Sequence, residues 1–384
     1  MLILIAGDCA PGKSNYSFFK KRKIEDILEL DLYEKWKSAD IRIFNLESPI
    51  TNNRVPIIKC GPNLSAPAST IEGIKQLNPT VVSLGNNHIL DYGLEGLIET
   101  IELLNRYNIP FVGAGLKKEE AKKHLIINKN DISIGIYSCV ENEFSIAREN
   151  YGGANGFDFI ETYEDIKLIK NKVDYLIVLY HGGKEYYRYP SPLLQKSLRH
   201  MIKCGADLVV CQHNHIVSSY EYFMGKFILY GQGNFIFDLS NPNYSRESIL
   251  LKVFINREND TKKLTVKYDF LGIIYENGKV RSASENENET ILRSLKERSE
   301  KMLLPGYLKE EYKKYSKKNL KDYLYMISGL PKIVCRVDKY ILNGFLIKML
   351  YDKRRLACLL NYIKCEAHRE LIIEGIENYL KLIR

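Results

Sequence analysis

The stretch Val81-Val82-Ser83-Leu84-Gly85-Asn86-Asn87-His88-Ile89-Leu90-Asp91-Tyr92-Gly93 passes within a few residues from a β-branched apolar run to a dense group of polar side chains. The run 81–84 reads as a buried strand, and Gly85 ends it. In open α/β sheets the chemistry collects at the carboxyl ends of strands, where loops project side chains into a common crevice. Asn87 and His88 stand at such an end, and Asp91 follows three residues after the histidine.

Four more apolar runs end in the same manner. LILIAG leads into Asp8, IRIFNL into Glu47, LIVLY into His181, and DLVVCQ into His213-Asn214-His215. A lone acid after a strand is usually a helix cap, and a lone histidine is usually a satisfied surface or core residue. Five such ends on successive strands do not fit that reading. Carboxylate and amide oxygens together with imidazole nitrogens suit divalent ions such as Mn, Fe, Zn or Mg. In H-x-H on an extended segment both side chains point to one side, so His213 and His215 are expected to reach one metal cluster. Two ions bridged by a carboxylate hold a phosphoryl oxygen and lower the pKa of water. His88 is then placed to protonate a leaving oxygen as general acid, with Asp91 orienting its imidazole.

The rest of the pattern agrees with an α/β protein. Strands are expected at 2–6, 41–45, 81–84, 110–113, 132–138, 175–180 and 207–211. Amphipathic segments at 24–38, 67–77, 93–108, 161–172 and 190–204 lie between them. This alternation predicts a largely parallel sheet with helices packed on it. Runs 217–223, 226–230, 248–256 and 263–271, with turn signals such as Met224-Gly225, are expected to form an antiparallel meander closing the sheet system. Ser282 to Thr290 reads as a linker. It divides a domain 1–280 from a basic helical region 291–384, with helices at 291–303, 307–327, 331–350 and 353–382.

At this point the motifs carry a family resemblance. Gly7-Asp8, Asn45-Leu46-Glu47-Ser48-Pro49-Ile50, the 83–93 block, His181-Gly182-Gly183-Lys184-Glu185-Tyr186 and Gln212-His213-Asn214-His215 stand in the order seen in the CapA family. Gly231-Gln232-Gly233-Asn234-Phe235-Ile236-Phe237-Asp238 resembles that family's late Gly-Asn-Phe motif. These are bacterial proteins of poly-γ-glutamate and capsular polysaccharide synthesis, built on the calcineurin-like metallophosphatase fold. The resemblance covers roughly residues 1–255. It implies a four-layer α-β-β-α sandwich, two sheets flanked by helices, with the site at one edge and two divalent metal ions. By the same resemblance Asp8, Glu47, Asn87, His181, His213 and His215 look like the metal ligands, Glu47 being the bridging carboxylate. His88 resembles the catalytic histidine. Asn45, Asn86, Asn234 and Asp238 look like supports around the ligands, and Lys184 and Glu185 like substrate-side residues. Ala10 stands where the usual D-x-H motif has its histidine, which leaves one metal site with fewer ligands.

Gly7-Asp8-Cys9-Ala10-Pro11-Gly12-Lys13-Ser14 also satisfies G-x-x-x-x-G-K-S, the phosphate-cradling P-loop, after an apolar strand. Such a loop opens directly into a helix, and one could begin near Ser14. The P-loop reading leaves the Asn-His, lone-His and H-x-H clusters unexplained.

Composition bounds the remainder. Apolar residues make up 45% of the 384, ample for a sizeable core. No apolar run reaches the roughly 18 to 20 residues needed to cross a bilayer. The start Met-Leu-Ile-Leu-Ile-Ala-Gly-Asp lacks the features of a signal peptide, so a cytoplasmic location is expected. The eight cysteines show no C-x-x-C pairs and read as reduced thiols. The net charge of +9 is uneven: residues 291–384 hold 21 Lys and Arg against 11 Asp and Glu, the remainder 35 against 36. Lys313-Lys314, Lys317-Lys318 and Lys353-Arg354-Arg355 alternate with Tyr and Leu. A solvated helical face is one reading of this region. Peripheral contact with the inner face of a membrane, or with an anionic polymer, is the other. No nucleic-acid partner is expected, since no recognised binding motif accompanies the charge.

The leading expectation is a metal-dependent, phosphoesterase-type hydrolase serving synthesis of a capsule or other cell-surface polymer. An anionic polymer or phosphorylated substrate, and a capsule-synthesis complex, are the partners this implies. The alternative is a non-catalytic subunit of the same fold that scaffolds such a complex or binds polymer. A P-loop nucleotide binder is the third.

Overall fold

Ile3 and Ile5 point to one side of the first strand and Leu4 and Ala6 to the other, and all four are buried. A strand covered on both faces belongs inside a layered structure. The computed structural model describes residues 1–20, 23–237, 245–258, 263–276 and 279–382. In it β1 (Leu2–Ala10), β2 (Ile41–Leu46), β3 (Val81–Ser83) and β4 (Phe111–Val112) pair in parallel in that order. β5 (Ala114–Gly115) lies apart from the large sheets. β6 (Leu125–Lys129) and β7 (Ile132–Val140) form an antiparallel pair. β8 (Gly153–Ala154) pairs with β5. β9 (Tyr175–His181) and β10 (Leu208–Gln212) then lie parallel to β7, and the hairpin β11 (Tyr220–Phe223) and β12 (Lys226–Leu229) completes this second sheet. The chain returns to the first sheet through β13 (Asn234–Phe237), parallel to the carboxyl half of β1. β14 (Glu247–Arg257) runs antiparallel to the amino half of β1, followed by β15 (Leu264–Glu276) and β16 (Lys279–Ser282).

The period-two alternation of each strand sorts its side chains between layers. Ile3, Ile5, Ile41, Ile43 and Val81 of the first sheet pack against Ile134, Ile136, Ile177, Leu179, Leu208 and Val210 of the second. The outward residues of the first sheet, Leu4, Phe44, Leu46 and Val82, meet Trp36, Ile74, Leu97 and Leu104 from helices Leu30–Lys37, Ile71–Gln76 and Gly93–Arg106. On the far side Tyr137, Leu176, Val178 and Val209 meet Ile166 and Ile169 of helix Glu161–Lys170 and Leu198 and Met201 of helix Pro192–Lys203. That last helix starts where Ser191 accepts from Leu194 N at 3.1 Å, with Pro192 in its first turn. The result is the α-β-β-α sandwich that the resemblance implies.

Three expectations require correction. The four runs 217–271 do not form one meander. β11 and β12 turn at Met224 and Gly225, both at positive φ, within the second sheet, whereas β14 and β15 pair in the first. The reason is β13, which carries the chain from one sheet to the other between them. Nor is Ser282 to Thr290 a linker. Ser284 Oγ accepts from Glu287 N, and the Glu287 carboxylate accepts from Ser284 N, a capping box that opens helix Glu285–Met302. Ile291, Leu295 and Met302 of that helix are buried. The first compact unit is Met1–Leu308, and the second is Lys309–Arg384. In the second unit the expected segments 331–350 and 353–382 each divide in two. Gly344 at φ 78° precedes helix Phe345–Leu350, and the extended Cys365 separates Lys353–Lys364 from Glu366–Leu382.

Candidate metal centre

The carboxyl ends of both sheets meet at one edge. In β1 the register against β2 shifts between Ile5 and Asp8, so that Asp8 comes opposite Asn45 of β2 and Asn234 of β13. Gly7 makes this approach possible: a Cβ there would lie 1.9 Å from Gly233 O. Glu47 follows the end of β2, Asn87 the end of β3, His181 ends β9, and His213 and His215 follow β10. All six side chains are buried.

They converge on two points. His181 Nε2 lies 3.1 Å from Asn87 Oδ1, 3.1 Å from His213 Nδ1 and 3.5 Å from Glu47 Oε1. His215 Nδ1 lies 3.6 Å from Asp8 Oδ2, and its Nε2 lies 3.8 Å from Glu47 Oε1. Glu47, His181 and His213 form one candidate ligand group, and Asp8, Glu47 and His215 a second. Glu47 is shared by both. Its two oxygens are buried and have no hydrogen-bond partner. A buried carboxylate without donors costs several kcal/mol unless a cation accompanies it. Oxygen and imidazole donors of this kind suit divalent ions, so the residues present fit the group that the sequence implies.

A second layer of hydrogen bonds fixes the donors. Asn45 Nδ2 donates to Asp8 Oδ1 at 2.9 Å and lies 3.2 Å from His181 Nδ1. Asn86 Nδ2 donates to Asn45 Oδ1 at 3.1 Å and to Leu46 O at 2.8 Å. Asn234 Oδ1 lies 2.8 Å from His215 Nδ1, and His213 N donates to Asp8 Oδ2 at 3.1 Å. Burial raises the Asp8 carboxyl to about 6, and the neighbouring Glu47 charge pushes it the same way. For Glu47 burial also opposes the charge, but His215, His181 and His88 hold it below the usual carboxylate range. Burial, with His181 and His215 beside it, holds His213 well below the ordinary imidazole value, leaving a neutral ring with a lone pair to offer.

His88 stands at the rim of this cluster. Its Nδ1 lies 2.6 Å from Asp91 Oδ2, a carboxylate oxygen that accepts when Nδ1 carries a proton. Lys59 Nζ lies 2.5 Å from Asp91 Oδ1 and 3.1 Å from His88 Nδ1. Sequence reading missed Lys59, which sits in an irregular loop between Ile58 and Cys60 with no motif around it. Glu143 was missed too: Asn87 Nδ2 donates to its Oε2 at 3.3 Å. Its signal was present, since Glu141-Asn142-Glu143 follows β7, one more apolar strand ending in acids.

The remaining expected residues divide. Glu185 Oε1 lies 4.0 Å from His213 Nε2, at the edge of the cluster. Lys184 is exposed. Asp238 falls outside the described residues. The H-x-H segment is not extended: His213 has φ 95° and His215 φ 56°. The two rings converge because the backbone turns through the left-handed region, at a cost of order 1–3 kcal/mol per residue. The P-loop reading fails on geometry. Gly7 to Ala10 continue β1, paired with β2 and β13, and Cys9 O accepts from Glu47 N at 2.9 Å. The helix that follows, Tyr16–Lys20, has five residues.

Residues 2–239 match the family described as bacterial capsule synthesis protein PGA_cap. The chain belongs to this family. The match takes in every site residue from Asp8 to Asp238 and none of the unit Lys309–Arg384. The chain is 28% identical over 239 residues to the capsule biosynthesis protein CapA of Bacillus anthracis, across 60% of this chain and 58% of that protein. It is likewise 28% identical over 235 residues to the PGA biosynthesis protein CapA of Bacillus subtilis, across 60% and 61%. The chain thus spans about three-fifths of the length of these curated relatives. Among solved structures it is similar to a novel phosphatase from Mycoplasma pneumoniae, 14% identical with a TM-score of 0.44, across 76% of this chain and 96% of that one.

Proposed function

We propose that this chain is a metal-dependent hydrolase of phosphoester-type bonds in the synthesis of a capsule or poly-γ-glutamate polymer. The observation that carries the reading is Glu47, a buried carboxylate whose oxygens have no hydrogen-bond partner and which two ligand groups share. Glu47, Asn87, His181 and His213 would hold one divalent ion, and Asp8, Glu47 and His215 a second. Bound there, such ions supply Lewis-acid stabilisation of a phosphoryl oxygen and acidify water. The protein's own residues do the rest. Asn45 and Asn86 hold Asp8 and the strand ends in place. In the doubly protonated ring Asp91 accepts from the His88 Nδ1–H, and the Nε2–H proton passes to the leaving oxygen, leaving the neutral imidazole with its proton on Nδ1. The relatives' names supply the polymer pathway, not the reaction.

One observation favours a second reading. Ala10, paired with Phe237 in the sheet, stands where D-x-H would add a histidine, and the Asp8 group has three donors. A non-catalytic subunit that holds one ion and scaffolds a capsule-synthesis complex fits that deficit. Elemental analysis of purified wild type and His213→Ala, with hydrolysis of an aryl phosphodiester in parallel, separates the two. Near two metals per chain in wild type, with about half of the metal and the turnover lost in the variant, supports the hydrolase. One metal or none, without turnover under any divalent ion, overturns it in favour of the subunit.

A further inference from the structure

The unit Lys309–Arg384 has a small interior. Leu324, Tyr325 and Ile347 form its buried apolar cluster among the described residues, with Cys335, Tyr351, Leu356 and Leu359 packed against them. One buried carboxylate pins it together. Asp338 accepts from Tyr325 Oη at 2.8 Å and from the amides of Leu346 and Ile347 at 2.9 and 3.1 Å. Helix Lys332–Tyr340 therefore turns its Asp338 side inward. On the opposite side Ile333, Val337 and Tyr340 follow at helical spacing and are 73%, 40% and 75% exposed. Phe345 and Met349, one turn apart on the next helix, are 63% and 58% exposed. An apolar stripe of this extent marks an interaction surface rather than an ordinary solvated face.

Charge says what covers it. Lys332, Arg336 and Lys339 repeat at the same spacing one position earlier, forming a basic stripe beside the apolar one. Lys339 is engaged by Asp322 at 2.6 Å. The unit as a whole has 17 Lys and Arg against 9 Asp and Glu. We propose that helix Lys332–Tyr340 lies on an anionic lipid surface, with Ile333, Val337 and Tyr340 at the headgroup–acyl boundary and Lys332 and Arg336 against lipid phosphates. Interfacial helices combine an apolar and a basic face in this way. A soluble anionic polymer would engage the basic stripe and leave the apolar one in water. A second copy of this unit would set two strongly basic surfaces against each other. No described helix is long and apolar enough to cross a membrane, and surface contact needs none.

The test is sedimentation of the full chain with phosphatidylcholine vesicles with and without phosphatidylglycerol. Binding is expected with the anionic vesicles and is expected to weaken with salt. Lys332→Glu with Arg336→Glu should lower the partition coefficient by more than about fivefold per residue, since each basic residue near such a surface contributes a factor of about five. Ile333→Ser with Tyr340→Ser, both at exposed positions, neutral, and checked for unchanged helicity by circular dichroism, should lower it with the basic stripe and the net charge unchanged. Failure to pellet with anionic vesicles overturns the proposal. So does binding that ignores the Ile333 and Tyr340 changes, which would assign the stripe to soluble polyanions. A dimer that the same changes dissociate, with vesicle binding untouched, overturns it in favour of self-association.

Discussion

Lys59 Nζ lies 2.5 Å from Asp91 Oδ1, and the two side chains are 3% and 0% exposed. The carboxylate's other oxygen faces His88 Nδ1 at 2.6 Å and accepts from Leu64 N, also at 2.6 Å. Asp91 thus ties a loop residue, a backbone amide and the His88 ring into one buried set. Such sets are rigid when complete and costly when one member is removed.

Lys59→Met should therefore act in two ways. It leaves Asp91 buried without its cation, which costs about 3–5 kcal/mol when one partner of a buried pair is removed. It also loosens the loop residue nearest His88, so turnover of an aryl phosphodiester should fall about 10–100-fold, as for other supports of catalytic groups. Urea unfolding in a double-mutant cycle with Asp91→Asn checks the first effect. If Asp91→Asn fails to recover part of the loss, the pair is not coupled as described.

Glu47→Gln should differ in kind from changes at the histidines. Glu47 belongs to both ligand groups, whereas His181 and His213 belong to one and His215 to the other. Metal content per chain should fall toward zero in Glu47→Gln. It should fall by about half in His215→Ala, since loss of one ligand spares the group that lacks it. Equal losses in both variants would contradict the bridging position of Glu47.

Much of this site is legible in the sequence, and the limits have physical causes. Asp8, Glu47, Asn87, His181 and the H-x-H pair were visible because each follows a short apolar run, and parallel strands present their carboxyl ends together. Lys59 was not, because an irregular loop has no period and its partner lies 32 residues away. The turn at His213 and His215 was hidden because a positive φ is uncommon for any residue but glycine. Helix Glu285–Met302 read as a linker at its start because its first turns, Glu-Asn-Glu-Asn-Glu-Thr, are polar. Its apolar contacts, Ile291, Leu295 and Met302, are too sparse to set a strong period. Ser284 and Glu287 at capping-box spacing were the signal that could have found it.

Gly7→Ala tests how closely β1 and the turn before β13 approach. The added Cβ would lie 1.9 Å from Gly233 O, backbone that no side-chain rotation can move. Overpacking of this kind costs about 1–3 kcal/mol. The displaced residue is the neighbour of Asp8, so metal content should fall along with thermal stability. A variant with lowered melting temperature but full metal content would show that the strand yields without moving Asp8.

The capping box predicts how stability depends on pH. Arg281, with Ser284 at the helix start, pulls the Glu287 carboxyl down to about 2. Its pKa is lowered in the folded state, so its contribution is fully present above the ordinary carboxylate value. That contribution is lost as the pH falls from about 4.5 toward about 2. Glu287→Gln should cost about 1 kcal/mol at neutral pH, the scale of a helix cap, since the group is partly exposed and solvent weakens its ion pair. The helix it starts also braces the site: Arg298 Nε donates to Ser218 O at 2.8 Å, three residues after His215. Urea unfolding of wild type and Glu287→Gln from pH 7 down to about 3 measures the difference between them. It should narrow steadily across the acid limb. A difference constant with pH would mean that the carboxylate charge contributes nothing to holding this helix.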